Sequence, residues 1–202
     1  MKLYYSPGAC SLGIHVLLEE IGKPYELVLA NLRLPAPERE LTGINPKSKV
    51  PTLVRDDETV LTEYPAIAWW LAATNPQARL FPADAEGQAR TLEALDYLVS
   101  TVHMQGFFRL FSAGRLKTPE EQEGQKALGA DIANRGFARA EALLDGKDWL
   151  AGSYSAADSA LFYVSNWAGN FGITLPPRVA AHFARMKSRP AVISALQQEG
   201  LS

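Results

Sequence analysis

The chain has 202 residues, of which 47% are hydrophobic and 21% charged, and a net charge of −2. That is enough for one large domain or two modest ones, each with its own core, but it gives no electrostatic footing for nucleic acid or an anionic membrane. One cysteine rules out an internal disulfide and a zinc site built from several thiolates. No apolar run approaches the roughly 20 residues of a membrane-spanning helix. The N-terminus shows no basic-then-apolar leader, so the expected location is cytoplasmic.

The first third alternates strand and helix signals. Lys2–Tyr5 reads as a short aromatic strand ending in a Pro7-Gly8 turn, and Ile14, Val16, Leu17, Leu18 and Ile21 form the apolar side of a helix that stops near Gly22-Lys23-Pro24. Tyr25–Leu29 predicts a second strand and Glu38–Thr42 a short helix. Val50–Val54 and Thr59–Leu61 predict two more strands, joined by polar Arg55–Glu58 as an antiparallel hairpin. Ala66–Ala73 is helical and ends at Asn75-Pro76. The order β-α-β-α-β-β-α implies a mixed four-stranded sheet with helices on its faces.

Residues 79–85 read as a linker, and strand signals nearly vanish beyond it. Residues 86–111 carry Leu92, Leu95, Leu98, Val99, Val102 and Met104 at helical spacing. Thr118-Pro119-Glu120-Glu121 and Ser155-Ala156-Ala157-Asp158 both have the form of a helix start, with an N-cap hydroxyl answered by an acid three residues on. Helices near 177–187 and 190–198 close the chain. The shift in composition predicts an α/β unit over 1–78 and an all-α unit over 86–202.

Three places carry chemistry. Cys10 lies where the first helix begins, and there unpaired amides and the dipole stabilise an anion, including a thiolate. A lone cysteine is also often just a small buried hydrophobe. Ser11 beside it is either the N-cap or a donor to a ligand's sulfur. Val50-Pro51 is either a plain edge-strand proline or a cis proline that frees the preceding backbone to pair with an extended peptide. Glu63, in Thr62-Glu63-Tyr64-Pro65, either complements the dipole of the next helix, worth about 0.3–1 kcal/mol, or binds a ligand's ammonium while neighbouring amides hold a carboxylate.

Taken together, Lys2 to Ser11 (KLYYSPGACS), Ile44-Asn45-Pro46-Lys47, Val50-Pro51, Leu61-Thr62-Glu63, Ala66-Ile67 and Gly152…Ser155…Ala157-Asp158 resemble the glutathione transferases, most closely the bacterial beta class. The resemblance covers nearly the whole chain. It implies a thioredoxin-like N-terminal domain that binds glutathione, followed by a helical domain that covers the other half of a cleft. It implies glutathione as co-substrate, no metal, small hydrophobic electrophiles as second substrates, and a homodimer with the long helix around Asp96 near its interface. Catalytic roles fall to Cys10, Ser11 and His103. Glutathione contacts fall to Cys10, Val50, Pro51, Glu63, Tyr64, Asp96, Ser100 and His103, and the apolar pocket to Met104, Phe107, Phe108 and Trp167, several of which must also serve the core.

On this basis Val50 pairs by backbone with the cysteinyl part of glutathione, and Glu63 with the residue 64 amide holds its γ-glutamyl end. Ser11 donates to the thiolate, while Cys10 faces it and is able to form a mixed disulfide. His103 assists deprotonation or donates to the sulfur, against a bland reading as a structural histidine. His15 reads as structural, and His182 has no evident context. Trp69-Trp70, Trp149 and Phe162 read as packing, and Gly152, Ser155 and Asp158 as folding determinants.

Four positions depart from the class. Tyr64-Pro65 follows the acid where a small residue is usual, Asp96 stands for asparagine, and Met104 replaces a basic residue. A lysine is missing near Leu34-Pro35, which leaves Arg33, Arg39 or Lys49 to meet the glycyl carboxylate. Two alternatives to conjugation remain at this level: thiol-disulfide exchange or peroxidase chemistry through Cys10, and a non-catalytic scaffold on the same fold.

Overall fold

A computed structural model describes residues 1–201 of the chain. It divides into two compact units, one from Met1–Leu80 together with the segment from Lys187 onward, the other spanning Phe81–Met186.

In the first unit β1 (Lys2–Tyr5), β2 (Glu26–Leu29), β3 (Thr52–Val54) and β4 (Val60–Thr62) form one sheet in the order β2-β1-β3-β4. β1 runs parallel to β2 and antiparallel to β3, which pairs antiparallel with β4. Registers Leu27↔Leu3, Leu3↔Leu53 and Leu53↔Leu61 put one leucine from every strand in a single row across the sheet. Leu3 and Leu53, in the middle of that row, are fully buried. Truncating either to alanine would cost about 2–5 kcal/mol in transfer and cavity terms.

Helix α1 (Ser11–Ile21) is buried without interruption from Ser11 to Leu18, where the periodicity predicts only one apolar side. The reason lies at the far end of the chain: helix α8 (Pro190–Gln198) packs along α1. Arg189 clamps Glu20 through two bonds of 2.7 and 2.9 Å, and Gln198 donates to Glu19 at 3.0 Å. The last segment thus belongs to the first unit, whereas the composition shift alone runs the helical unit to 202. The predicted helix at 38–42 is two 3₁₀ turns, Ala36–Glu38 and Glu40–Gly43, and α2 covers Tyr64–Thr74. Trp70 packs under the guanidinium of Arg55 at 5.4 Å, but Trp69 is 52% exposed and not part of the packing.

The second unit is helical throughout. A continuous helix begins as α3 (Ala85–Asp96), loosens to wider π turns over Tyr97–Phe107, and ends as α4 (Phe108–Ser112). At the end of the wide stretch the Phe108 N–H bonds the His103 carbonyl, five residues back. Helices α5 (Pro119–Leu143) and α6 (Ala156–Ala168) each open on a capping box, Thr118 with Glu121 and Ser155 with Asp158, as the sequence spacing predicts. Asp158 does more than cap. Its Oδ1 also accepts from the Leu150 N–H and from His182 Nε2, both at 3.0 Å, inside the core. That supplies the context His182 lacks in the sequence, on helix α7 (Pro177–Lys187). No helix among the described residues is long and apolar enough to cross a membrane.

Candidate functional site

The first unit gathers its chemistry around the loop between β1 and α1. Cys10 precedes α1 and its side chain makes no capping bond. The residue keeps partial surface access, yet its side chain packs with Tyr4 and Leu32 against Ala30, Leu41 and Val50. The thiol donates to the Val50 carbonyl at 3.3 Å. Burial pushes this thiol up to about 12, against the lowering effects of the Cys10 and Ser11 backbone amides and the charge of Lys49. At rest it is a neutral S–H.

Ser11 is not the N-cap that its position implies. It is the first residue of α1 and fully buried. Its Oγ accepts from the Ser6 N–H at 3.1 Å and donates to the Ser6 carbonyl at 3.3 Å, while Ala9 N–H bonds the same carbonyl at 3.0 Å. The single hydroxyl proton is therefore spent on closing the loop.

The Val50–Pro51 peptide bond is cis. The chain around it is tied by Asn45, whose amide donates to the Lys49 carbonyl (3.1 Å) and Thr52 Oγ1 (2.8 Å) while its Oδ1 accepts from the Lys47 N–H. In the sequence Asn45 stands only within the Ile44–Lys47 motif, and its burial and its bonds to Lys49 and Thr52 are not readable there. Arg39 is likewise structural, donating to the carbonyls of Leu34, Ser48 and Leu32 at 2.9, 2.9 and 3.0 Å. It is thereby removed from the three candidates for the glycyl carboxylate. Lys49 is exposed and near enough to bias the Cys10 thiol.

Glu63 sits at the N-cap of α2 with φ 71°, a conformation costly for a residue with a Cβ. Its exposed carboxylate meets Lys47 at 2.6 Å, and the same ammonium donates to Thr62 Oγ1 at 2.9 Å. Tyr64 opens the helix and is buried, and Pro65 at the next position has no N–H to present.

The second unit holds the remaining candidates. His103 lies in the wide-turn stretch, its Nδ1 3.3 Å from Tyr163 Oη and its ring edge-on to Trp167 with centroids 4.8 Å apart. Asp96 and Ser100 lie exposed earlier on the same helix. Met104 (39% exposed) and Phe108 (47%) present apolar surface, as does Phe111 (51%). Phe107 does not. It is completely buried against Phe137, Trp167 and Phe171, so it belongs to the core and not to a pocket wall. Trp167 is nearly buried, packed by Phe107, Phe111 and Tyr163. No group of three or more His, Cys, Asp or Glu residues suited to a metal ion exists among the described residues.

Residues 8–74 match the family model "Glutathione S-transferase, N-terminal domain". The chain is 38% identical to glutathione S-transferase GstA of Escherichia coli O157:H7 over 207 residues, covering all of both chains. It belongs to the glutathione S-transferase family. Among solved structures, a sphingomonad glutathione S-transferase in complex with glutathione matches at 34% identity with a TM-score of 0.87, over the full length of both chains. The bacterial beta-class glutathione S-transferase of Sphingomonas chungbukensis matches at 33% and 0.87 over the same extent. The sheet order and flanking helices of the first unit are the thioredoxin-like arrangement of glutathione S-transferases, followed by a largely helical part.

Proposed function

We propose that this protein binds glutathione, holds its sulfur as a thiolate and transfers it to small apolar electrophiles. The observation that carries this is the state of Cys10. With burial holding its thiol near 12 and its proton directed at the Val50 carbonyl, Cys10 is a poor nucleophile at neutral pH. The sulfur to be activated is then the co-substrate's own. Free glutathione thiol, with the ordinary pKa of about 8.5, is mostly protonated at pH 7. Donors that bind the thiolate better than the thiol raise the reactive fraction.

In this scheme the backbone of Val50 takes the cysteinyl unit, and Glu63 with the Tyr64 amide takes the γ-glutamyl end, Lys47 giving up its carboxylate partner. Lys49 or Arg33 meets the glycyl carboxylate, because Arg39 is committed to backbone carbonyls, and Lys49 is the one close enough to bias the Cys10 thiol. His103 donates to the thiolate, with Asp96 and Ser100 serving the peptide's polar end. Met104 and Phe108 face the electrophile, with Trp167 buried behind them as support. The thiol proton leaves to solvent or His103, the thiolate forms a bond to the electrophilic carbon, and the leaving group departs with the electron pair of the broken bond. A cytoplasmic homodimer acting in detoxification is part of the proposal; Trp69 is the kind of apolar surface that a second subunit covers.

Retention on immobilised glutathione followed by turnover of chlorodinitrobenzene tests the proposal. A protein that is neither retained on immobilised glutathione nor able to turn over chlorodinitrobenzene would contradict it. The partial accessibility of Cys10 favours one second role, exchange of its sulfur with glutathione disulfides, and Cys10→Ala separates the two by abolishing exchange alone.

A further inference from the structure

The loop that carries Cys10 is held from the opposite end of the chain. Gly8, at φ 68°, donates its N–H to Glu199 Oε2 at 2.8 Å. The other carboxylate oxygen of Glu199 accepts from His15 Nδ1 at 2.9 Å, both side chains having no solvent exposure. His15 comes from the middle of α1, so one carboxylate bonds the loop before that helix and the helix itself.

The end of α8 is built to deliver this group. Leu201 N–H bonds the Leu196 carbonyl (2.9 Å), Gly200 N–H bonds the Gln197 carbonyl (3.1 Å), and Gly200 has φ 68°. This is a Schellman turn, and it reverses the chain so that the Leu201 methyls lie about where a Cβ on Gly8 would touch them, 3.7 Å away. Glu199 therefore approaches Gly8 by hydrogen bond while Leu201 covers it by packing.

Docking α8 does not require a buried carboxylate. The part-buried Arg189–Glu20 pair and the exposed Gln198–Glu19 bond already strap the two helices, and a buried polar pair is often no more stabilising than an apolar pair of the same volume. What the carboxylate adds is direction: it fixes one backbone N–H two residues before the only cysteine.

We propose that Glu199 is a positioning residue for the glutathione site, acting through the Gly8 amide to hold the Ser6–Ser11 loop in register with Val50. The role rests on the reading above, in which glutathione's sulfur meets this loop. Ser11 closes the loop at its base and Glu199 pins its crown. Without the pin the loop departs from Val50, Cys10 loses its carbonyl partner, and the peptide site loosens.

The test compares Glu199→Ala, Glu199→Gln and the strap variant Gln198→Ala, each checked for a cooperative melt. Two quantities are read: the rate at which dithiobis(nitrobenzoate) modifies Cys10, unambiguous in a chain with one cysteine, and KM for glutathione against kcat. Glu199→Ala is expected to speed labelling and raise KM by about tenfold, the scale of losing a charge-assisted hydrogen bond, with a smaller change in kcat. Glu199→Gln is expected to recover most of both, since its amide oxygen still accepts from Gly8 and His15 can turn to the other tautomer. Gln198→Ala is expected to leave both within about twofold while lowering the melting temperature, as an exposed strap would.

Folded Glu199→Ala with wild-type labelling and KM, or Gln198→Ala shifting both quantities equally, overturns the proposal. Should Glu199→Ala not fold, hydrogen exchange in the unaltered protein decides. The Gly8 amide is expected to exchange far below the unprotected rate, and exchange at the unprotected rate overturns the proposal. Absence of glutathione turnover in the wild type would sink the transferase reading instead, leaving labelling and exchange to judge Glu199.

Discussion

The Cys10 thiol donates to the carbonyl of Val50, 3.3 Å away, joining the β1–α1 loop to the cis Val50–Pro51 turn. A thiol so placed is held protonated. Its reaction with iodoacetamide is therefore expected to be slow at pH 7 and to climb about tenfold per pH unit up to and past pH 10, because only the thiolate reacts. A rate that levels off near pH 7 would mean an activated Cys10 and would reverse its assignment.

The same burial makes stability depend on pH. A folded-state value near 12 lies above the roughly 8.5 of an unfolded cysteine. The folded chain then keeps a proton that the unfolded chain releases, so the contribution is whole below about pH 8.5 and lost as pH rises toward the folded value. At pH 10 the wild type should have lost about 1–2 kcal/mol that Cys10→Ala does not lose. Parallel denaturant titrations at pH 7 and pH 10 measure the difference, and identical losses in the two proteins would refute it.

Ser11→Ala removes both bonds to Ser6 and leaves a part-buried N–H without its acceptor. A loss of about 1–3 kcal/mol in stability is expected, together with a fall in kcat/KM. If stability is unchanged and only kcat falls, the hydroxyl serves the thiolate directly and not the loop.

Arg39 and Lys49 should part company under mutation. Arg39→Ala strips three backbone carbonyls of their donor and is expected to cost about 2 kcal/mol in stability. Lys49→Ala should leave the melting temperature alone and raise KM for glutathione several-fold, the scale of one charge-assisted contact. Equal KM effects without any loss of stability in Arg39→Ala would return the glycyl carboxylate to arginine.

Much of this arrangement is legible in the linear sequence where its cause is local. The first strand follows from the aromatic run Lys2–Tyr5 cut off by the Pro7-Gly8 turn, and both capping boxes follow from a hydroxyl and an acid three residues apart. The unbroken burial of Ser11 to Leu18 on α1 is not legible, because it depends on a helix beginning at Pro190. The pairings of His15 with Glu199 and of His182 with Asp158 span 184 and 24 residues, and no local pattern links them. Ser11 reads as an N-cap because serine beside a helix start usually is one; the Pro7-Gly8 turn brings Ser6 close enough to take its hydroxyl instead. Phe107 shares its helical spacing with Met104 and Phe108, but three aromatic rings close over it alone.

Tyr163 and His103 give a prediction inside the second unit. Tyr163→Phe deletes the hydroxyl 3.3 Å from Nδ1, so kcat should fall several-fold with little change in KM for glutathione. An unaltered kcat, read by chlorodinitrobenzene turnover, would take His103 out of the chemistry.

The account turns on which sulfur attacks, and chlorodinitrobenzene conjugation by Cys10→Ala measures that most directly. Turnover is predicted to survive within about tenfold of wild type, a difference of no more than about 1.4 kcal/mol in the barrier. Loss of conjugation in a folded Cys10→Ala protein that still binds glutathione would contradict it and make Cys10 the nucleophile.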